Sequence, residues 1–158
     1  MIKISPQLRS GRQGDGRFGA RRGSRTHNGI DYVTQPGDRI CSPVAGVITK
    51  HGYPYRDDLS YRYVEITTQY FDTLDTSTTT ETNIQIIPAR HRLFYTLMFD
   101  TLKIGDTVHQ NDIVGIAQDI AARYPAKDPK DAMINHVHYE IKRPDGTYIN
   151  PEQYLYES

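Results

Sequence analysis

The chain contains very little cysteine and no tryptophan. Its 158 residues include a single cysteine, Cys41, so no disulfide can form within the chain. This excludes the small secreted scaffolds that are held together by disulfides. Cys41 lies in an apolar stretch, and we expect it to be a small buried residue rather than a nucleophile.

Long apolar runs and an excess of charge of one sign are also absent. No run approaches the ~20 apolar residues of a membrane span, and the N-terminus lacks the apolar segment of a signal peptide. The 19 basic and 19 acidic residues cancel, so no long-range field attracts nucleic acid or an anionic membrane. We therefore expect a soluble protein with no nucleic-acid or membrane partner, one that is not addressed for Sec export.

Arginine is concentrated near the N-terminus, where only Asp15 opposes it. A run of like charges beside several glycines is typical of a solvated segment. We expect residues 1–24 to form an irregular Arg/Gly-rich arm and residues 25–158 to form one domain of ordinary size. The arginines of this run are Arg9, Arg12, Arg17, Arg21, Arg22 and Arg25.

Beyond the arm, the sequence is typical of short strands separated by turns. Several segments alternate apolar with polar residues and are rich in β-branched and aromatic side chains. Pro88 is expected to break one of them, and residues 118–134 are expected to be mostly loop with a short helix at the start. The strand segments are 46–52, 61–70, 82–99, 111–117 and 135–142.

Two groups of polar residues are suited to metal binding. His27 and Asp31 lie four residues apart around Gly29, in a loop that runs into a strand, and i and i+4 share one face of a strand. His136 and His138 are two residues apart, so both rings lie on one face of their strand. A catalytic zinc site needs three such ligands and a nearby base. His27, Asp31 and one of the two later histidines would supply the ligands, and the other histidine would remain as the base.

Three segments resemble the LytM/lysostaphin family of zinc metallopeptidases, which share the duplicated hybrid motif. THNGIDYVTQPGDRICSPVAGVI (26–48) resembles the family's His-x-Gly-x-Asp segment and the turn and strand that follow it. GDTVHQNDIVGIA (105–117) resembles its glycine-punctuated hairpin, and NHVHYEIKRPDGTYINPEQYL (135–155) resembles its His-x-His strand and closing segment. Residues 17–31 are also similar to the leukocyte cell-derived chemotaxin branch.

The resemblance implies a mostly β fold, an antiparallel β-sandwich-like single domain with little helix and a groove over one sheet. Loops 52–60, 72–82 and 118–134 would wall the groove. One Zn²⁺ per chain would be held by His27, Asp31 and His138, and His136 would be a catalytic histidine. Glu140 shares the face of His136 and His138, where it is either a partner that orients a ligand or an ordinary surface carboxylate.

The sequence departs from the family at one catalytic position. The family has a further histidine in a Tyr-x-His-Leu strand, and Thr96 stands in its place when counted without a gap from Gly105. A tyrosine that donates a hydrogen bond while neutral would replace it. Tyr95 is expected to point to the opposite face of the strand, so the candidate oxyanion donors are the loop tyrosines Tyr53, Tyr55 and Tyr124.

Two functions follow from these residues. The first is a zinc-dependent endopeptidase that hydrolyses peptide bonds of bacterial peptidoglycan, acting on the cell wall as a phage virion or tail component or after lysis. The second is a catalytically lapsed zinc module that binds peptidoglycan peptide or a protein partner. Retention of His136 favours the enzyme, and the replacement at Thr96 favours the binding module.

Overall fold

The computed structural model describes residues 7–10, 15–74 and 83–156, and these residues form mainly antiparallel β-structure. One α-helix, α1 (Glu152–Tyr156), closes the described chain, and two 3₁₀ turns span Ile120–Arg123 and Pro129–Asp131. The strands of the described residues are β1 (Arg21–Arg22), β2 (Arg25–Thr26), β3 (Gly29–Val33), β4 (Arg39–Cys41), β5 (Gly46–Gly52), β6 (Tyr63–Leu74), β7 (Asn83–Phe94), β8 (Thr96–Met98), β9 (Thr107–Val108), β10 (Ile113–Ala117), β11 (His136–Lys142) and β12 (Tyr148–Ile149).

A seven-stranded sheet provides the platform of the molecule. Its strands follow the order β12, β11, β7, β6, β5 and β9, and β3 also pairs with β11. One edge of β11 is covered first by β3 and then by β12, and its other edge is covered by β7. Because β11 has neighbours on both edges, its side chains are held in a fixed register with those of β3 and β7.

A second, three-stranded sheet of β4, β10 and β8 packs on the first. Ile40 and Val114 of the small sheet belong to the same buried cluster as Ile66 and Tyr139 of the large sheet. Along β11, Val137, Tyr139 and Ile141 are fully buried, and the alternate residues face the other way. The predicted mostly β, antiparallel sandwich-like domain is confirmed.

The strand pattern is confirmed in type but not in every boundary. Pro88 does not break its segment, because it lies inside β7 and pairs only with β6 at this position; β11 covers β7 no earlier than Arg90. A proline is tolerated where a strand has a neighbour on one side only. The break falls at Tyr95, which has a φ of 63° and separates β7 from β8. Most of the predicted loop 72–82 lies outside the described residues.

The N-terminal residues contact the domain directly. Arg9 donates its backbone N–H to the Asp31 carbonyl at 2.7 Å, and Leu8 forms a bridge with Tyr32, so residues 7–10 cover the second edge of β3. That edge carries backbone groups that need partners. The interpretation of the arginine run as solvated is therefore wrong for Arg9, which is 5% exposed. None of the described helices is long and apolar enough to cross a membrane.

Candidate metal centre

Pairing of β3 with β11 brings the two predicted ligand groups together. Asp31 lies directly opposite His138 in the antiparallel ladder, so their side chains share one face of the sheet. Gly29 lies opposite Glu140, and a Cβ on Gly29 would come within 2.2 Å of the Tyr139 carbonyl oxygen. The close approach of the two strands therefore requires glycine at this position, and it places His27 at the end of the ladder beside His138.

Three donor atoms converge at this point. His138 Nδ1 lies 2.8 Å from Asp31 Oδ1, His27 Nε2 lies 3.2 Å from the same oxygen, and the two ring nitrogens are 3.1 Å apart. Tetrahedral zinc with bonds of about 2.0–2.1 Å would hold its ligand atoms roughly 3.3 Å apart. The triangle formed by His27, Asp31 and His138 is close to that size.

The remaining nitrogen of each imidazole has a partner that fixes the ring. His27 Nδ1 lies 2.9 Å from the Arg17 carbonyl oxygen, which can only accept, so Nδ1 carries the proton. His138 Nε2 lies 3.3 Å from Glu140 Oε2 and donates to that carboxylate. With these protons assigned, two nitrogen lone pairs and one carboxylate oxygen face one another. Such a set needs a positive charge between its members, a proton in the metal-free state or a metal ion in its place, and two imidazoles with one carboxylate is a donor set that zinc accepts.

The electrostatics of the centre also favour a positive charge. Burial alone would raise the pKa of Asp31, but hydrogen bonds from His138 and His27 hold it well below its usual value. Burial alone would lower the pKa of His138, but the carboxylates of Asp31 and Glu140 raise it to about 9. Asp31 is also held on its other oxygen, Oδ2, by Arg9 at 2.8 Å and by Arg22 at 3.2 Å.

His136 lies beside the triangle with one nitrogen uncommitted to the backbone. Its Nδ1 donates to the Ile134 carbonyl oxygen at 2.7 Å, which leaves the Nε2 lone pair on the side of Asp31, 3.9 Å from Oδ2. Burial lowers the pKa of His136. A neutral imidazole with a free lone pair next to a metal centre has the properties of a general base.

The fold has counterparts among solved structures. No family model matches the chain, and no curated protein matches it. The catalytic domain of the antimicrobial peptidase lysostaphin from Staphylococcus simulans aligns over 91% of this chain and 90% of its own, with 14% identity and a TM-score of 0.53. The catalytic domain of the prophage-encoded protein EnpA from Enterococcus faecalis, an alanine-to-histidine mutant, aligns over 92% and 95%, with 20% identity and a TM-score of 0.52.

The chain has the lysostaphin-type peptidase fold. Csd3 from Helicobacter pylori has it too: it aligns over 97% of this chain and 35% of its own length, with 19% identity and a TM-score of 0.57. At these identities the likeness establishes the fold. In this lysostaphin-type domain the triangle of donors lies on the floor of an open cavity of about 380 Å³.

Tyrosines form one wall of the cavity. Tyr55 and Tyr124 line it, as the loop positions in the sequence predict, and their hydroxyls are hydrogen-bonded at 2.9 Å. Tyr53 does not line it and is 52% exposed, with the Arg62 guanidinium over its ring. The prediction that Tyr95 faces away from the site is wrong, because the positive φ of Tyr95 turns its ring into the cavity. Thr96 is fully buried and does not line the cavity.

Charged side chains continue the site along the sheet. Glu140, which faces the site as its spacing from His138 predicts, lies 3.6 Å from Arg92, and Arg92 donates to Glu65 at 2.8 Å. Arg9 and Arg22 line the cavity on the other side. Sequence reasoning missed both arginines as site residues. The signal available was their unusual density just before His27, which composition alone assigns to a solvated segment.

Proposed function

We propose that this chain is a zinc-dependent endopeptidase of the LytM/lysostaphin family that hydrolyses peptide bonds of bacterial peptidoglycan. The observation that carries the proposal is the convergence of three donor atoms, His27 Nε2, Asp31 Oδ1 and His138 Nδ1. The triangle they form is open to the cavity on one side, and His136, which would act as the base, also lines that cavity. The lysostaphin-type fold supports it, since lysostaphin is itself an antimicrobial peptidase with a domain of this size.

Each residue of the site has a part in the hydrolysis. His27, Asp31 and His138 would hold the metal, which when bound supplies Lewis-acid polarisation of the scissile carbonyl and makes water more acidic. His136 Nε2 accepts a proton from the attacking water and returns it to the leaving amine, so that the imidazole ends neutral. Glu140 keeps the ring of His138 oriented through its hydrogen bond to Nε2. Tyr55, Tyr95 and Tyr124 place hydrogen-bonded neutral hydroxyls on the cavity wall.

The substrate assignment rests on the fold and on the open shape of the cavity. The cavity lies over a sheet and is walled by loops on both sides, a form that admits an extended peptide from a cross-linked polymer. Action as a phage virion or tail component, or after lysis, stays a prediction; the prophage origin of EnpA is compatible with it.

The proposal is tested by digestion of purified peptidoglycan with zinc-loaded protein, measured as newly released amino groups. We expect release that stops when the metal is removed by a chelator and resumes when zinc is restored. His136→Ala should keep about one zinc per chain and lose activity by roughly 10²–10⁴-fold. His109→Ala is the matched control, since this histidine side chain is 83% exposed and outside the cavity.

A second function is a zinc-containing module that binds peptidoglycan peptide without cutting it. The observation in its favour is that no other histidine takes the place of the catalytic histidine that is missing at Thr96. All six histidines lie in the described residues, and only His27, His136 and His138 line the cavity. His91 is buried in the core, and His51 accepts a hydrogen bond from the Met98 backbone. Zinc-dependent retention on peptidoglycan with no release of amino groups would favour this function over hydrolysis.

A further inference from the structure

Tyr95 has an uncommon backbone conformation at the edge of the site. Its φ of 63° lies in the left-handed region, and it interrupts the strand between β7 and β8. This conformation is strained for a bulky residue, and such strain is concentrated at functional sites. The result of the turn at Tyr95 is that its ring lines the cavity while Thr96 is buried.

The ring of Tyr95 lies next to the base. It meets the His136 ring edge to face, with centroids 5.4 Å apart and the planes at 89°. It also contacts the Phe94 ring, which in turn meets the ring of the metal-site residue His138. Among the cavity tyrosines, Tyr95 is therefore the one whose ring contacts His136, the proposed base. Tyr55 is hydrogen-bonded to Tyr95, and Tyr124 is hydrogen-bonded to Tyr55.

Three phenols are joined in one chain of hydrogen bonds. The Tyr95 hydroxyl lies 3.2 Å from that of Tyr55, and the Tyr55 hydroxyl lies 2.9 Å from that of Tyr124. Three hydroxyl protons serve two hydrogen bonds, so one proton is left over for another acceptor.

One direction of that chain leaves its spare proton in the cavity. Arg123 donates to Asp57 and lies over the Tyr55 ring, 3.6 Å from the centroid. Tyr124 is 42% exposed, so its oxygen can accept from water while its own proton is donated to Tyr55. When Tyr55 in turn donates to Tyr95, the Tyr95 proton is the one that remains for the cavity.

We propose that Tyr95 is a catalytic residue that donates a hydrogen bond to the oxyanion formed at the scissile carbonyl, in place of the histidine absent from position 96. The inference rests on the proposed peptidase function. Water oxygen bonds to the carbonyl carbon, its proton passes to His136 Nε2, and the carbonyl π electrons move to the oxygen. That oxygen accepts the Tyr95 hydrogen bond; the C–N bond then breaks, and the amine leaves with the proton from His136.

Burial keeps this phenol in the form that the role needs. It raises the pKa of Tyr95, so the hydroxyl stays protonated throughout the neutral range. The Tyr95 hydroxyl can therefore donate a hydrogen bond without a change in its own protonation. Removal of its oxygen atom alone should abolish the stabilisation of the oxyanion.

The test compares Tyr95→Phe with Tyr148→Phe in the zinc-loaded protein. Tyr148 lies on β12, outside the cavity, and serves as the matched control for the loss of one phenol oxygen. The readouts are kcat and KM on the peptidoglycan peptide that wild type cleaves, zinc content, and the inhibition constant of a phosphinic pseudopeptide of the same sequence. The phosphinate carries a tetrahedral anion where the oxyanion would form.

We expect Tyr95→Phe to lower kcat by about 10²-fold with KM and zinc content nearly unchanged, and to weaken phosphinate binding by a similar factor. Tyr95→His, which restores a neutral donor, should recover part of the loss. Undiminished kcat in Tyr95→Phe, with active wild type, would overturn this inference and leave the peptidase function standing. A zinc-loaded wild type that releases no amino groups would overturn both.

Discussion

His136 and His138 stand two residues apart on β11, and their different partners give them different roles. His138 donates through Nε2 to Glu140 and directs Nδ1 at the metal triangle. His136 donates through Nδ1 to a backbone carbonyl and keeps Nε2 free beside it. The order of the two roles within the pair follows from which nitrogen each partner occupies, and the residue spacing alone left it open.

A histidine at position 96 should not restore the missing catalytic group. Thr96 is fully buried and does not line the cavity, so the larger imidazole of Thr96→His would overfill the core. We expect a loss of about 1–3 kcal/mol in the free energy of unfolding, measured by urea denaturation, and no rise in peptidoglycan hydrolysis. The control is Leu97→His, since Leu97 is 40% exposed and should accept the ring. A tenfold rise in hydrolysis by Thr96→His would contradict this placement.

The site residues that the sequence could predict are those that a short motif and strand alternation place together. His27, Asp31, His138, His136 and Glu140 all lie where spacing and the family resemblance put them. The sequence did not predict two other residues of the site, Tyr95 and Arg9. Tyr95 enters the cavity through a positive φ that no local propensity signals in a β-branched and aromatic segment. Arg9 reaches Asp31 through a backbone pairing between distant segments, which local pattern cannot show.

On the scale of single elements, β7 shows how one strand serves two faces. Arg92 faces the metal side, where it joins Glu65 and Glu140, and His91 is fully buried on the core side. His91 Nδ1 is hydrogen-bonded to the Tyr139 hydroxyl at 2.6 Å. The sequence predicted the strand, and alternation puts His91 on the same face as Ala89 and Leu93. It did not show that this polar side chain, flanked by Arg90 and Arg92, belongs to the core.

His91 makes the unfolding free energy depend on pH. Burial lowers the pKa of His91 to about 3, so the unfolded chain binds this proton near pH 6.5 and the folded chain does not. The contribution of neutral His91 to the free energy of unfolding is therefore fully present above pH 6.5. It is lost as the pH falls from 6.5 towards 3, because protonation of His91 then favours the unfolded chain. Between pH 7 and pH 5 the loss should be about 2 kcal/mol.

The measurement is urea unfolding of zinc-free protein at pH 7 and pH 5. The double variant His91→Leu with Tyr139→Phe, which leaves no hydroxyl without its acceptor, should lose about 2 kcal/mol less than wild type over that interval. His109→Leu is the control, because His109 is exposed and should follow wild type. Equal losses in wild type and the double variant would show that His91 is protonated in the fold.

On the scale of the whole molecule, the segment before β1 is part of the site. Residues 7–10 add to the free edge of β3, and Arg9 joins that edge to Asp31 and to Met133 of the loop before β11. The sequence predicted a mostly β fold from alternation, and its resemblance predicted the groove. It did not predict that residues 7–10 pair with the edge of β3, because such pairing depends on contacts between residues that are distant in the sequence.

Arg9→Met should test the contribution of this segment to stability. The Arg9–Asp31 ion pair is almost completely buried. Removing the Arg9 guanidinium leaves the Asp31 carboxylate paired with Arg22, which is farther away at 3.2 Å. We expect a loss of about 3 kcal/mol in the free energy of unfolding of zinc-free protein. Arg17→Met, which changes an exposed side chain, should lose far less. A loss below about 1 kcal/mol for Arg9→Met would show that the buried pair does not stabilise the fold.

X-ray diffraction from zinc-loaded crystals, recorded on both sides of the zinc absorption edge, would locate the ion itself. We expect one anomalous peak per chain, about 2.0–2.1 Å from His27 Nε2 and His138 Nδ1 and bonded to Asp31 Oδ1. His136 should lie beside the ion without ligating it. A peak coordinated by His136 in place of His138, or a zinc ion held only outside the triangle of His27, Asp31 and His138, would contradict the metal centre described above.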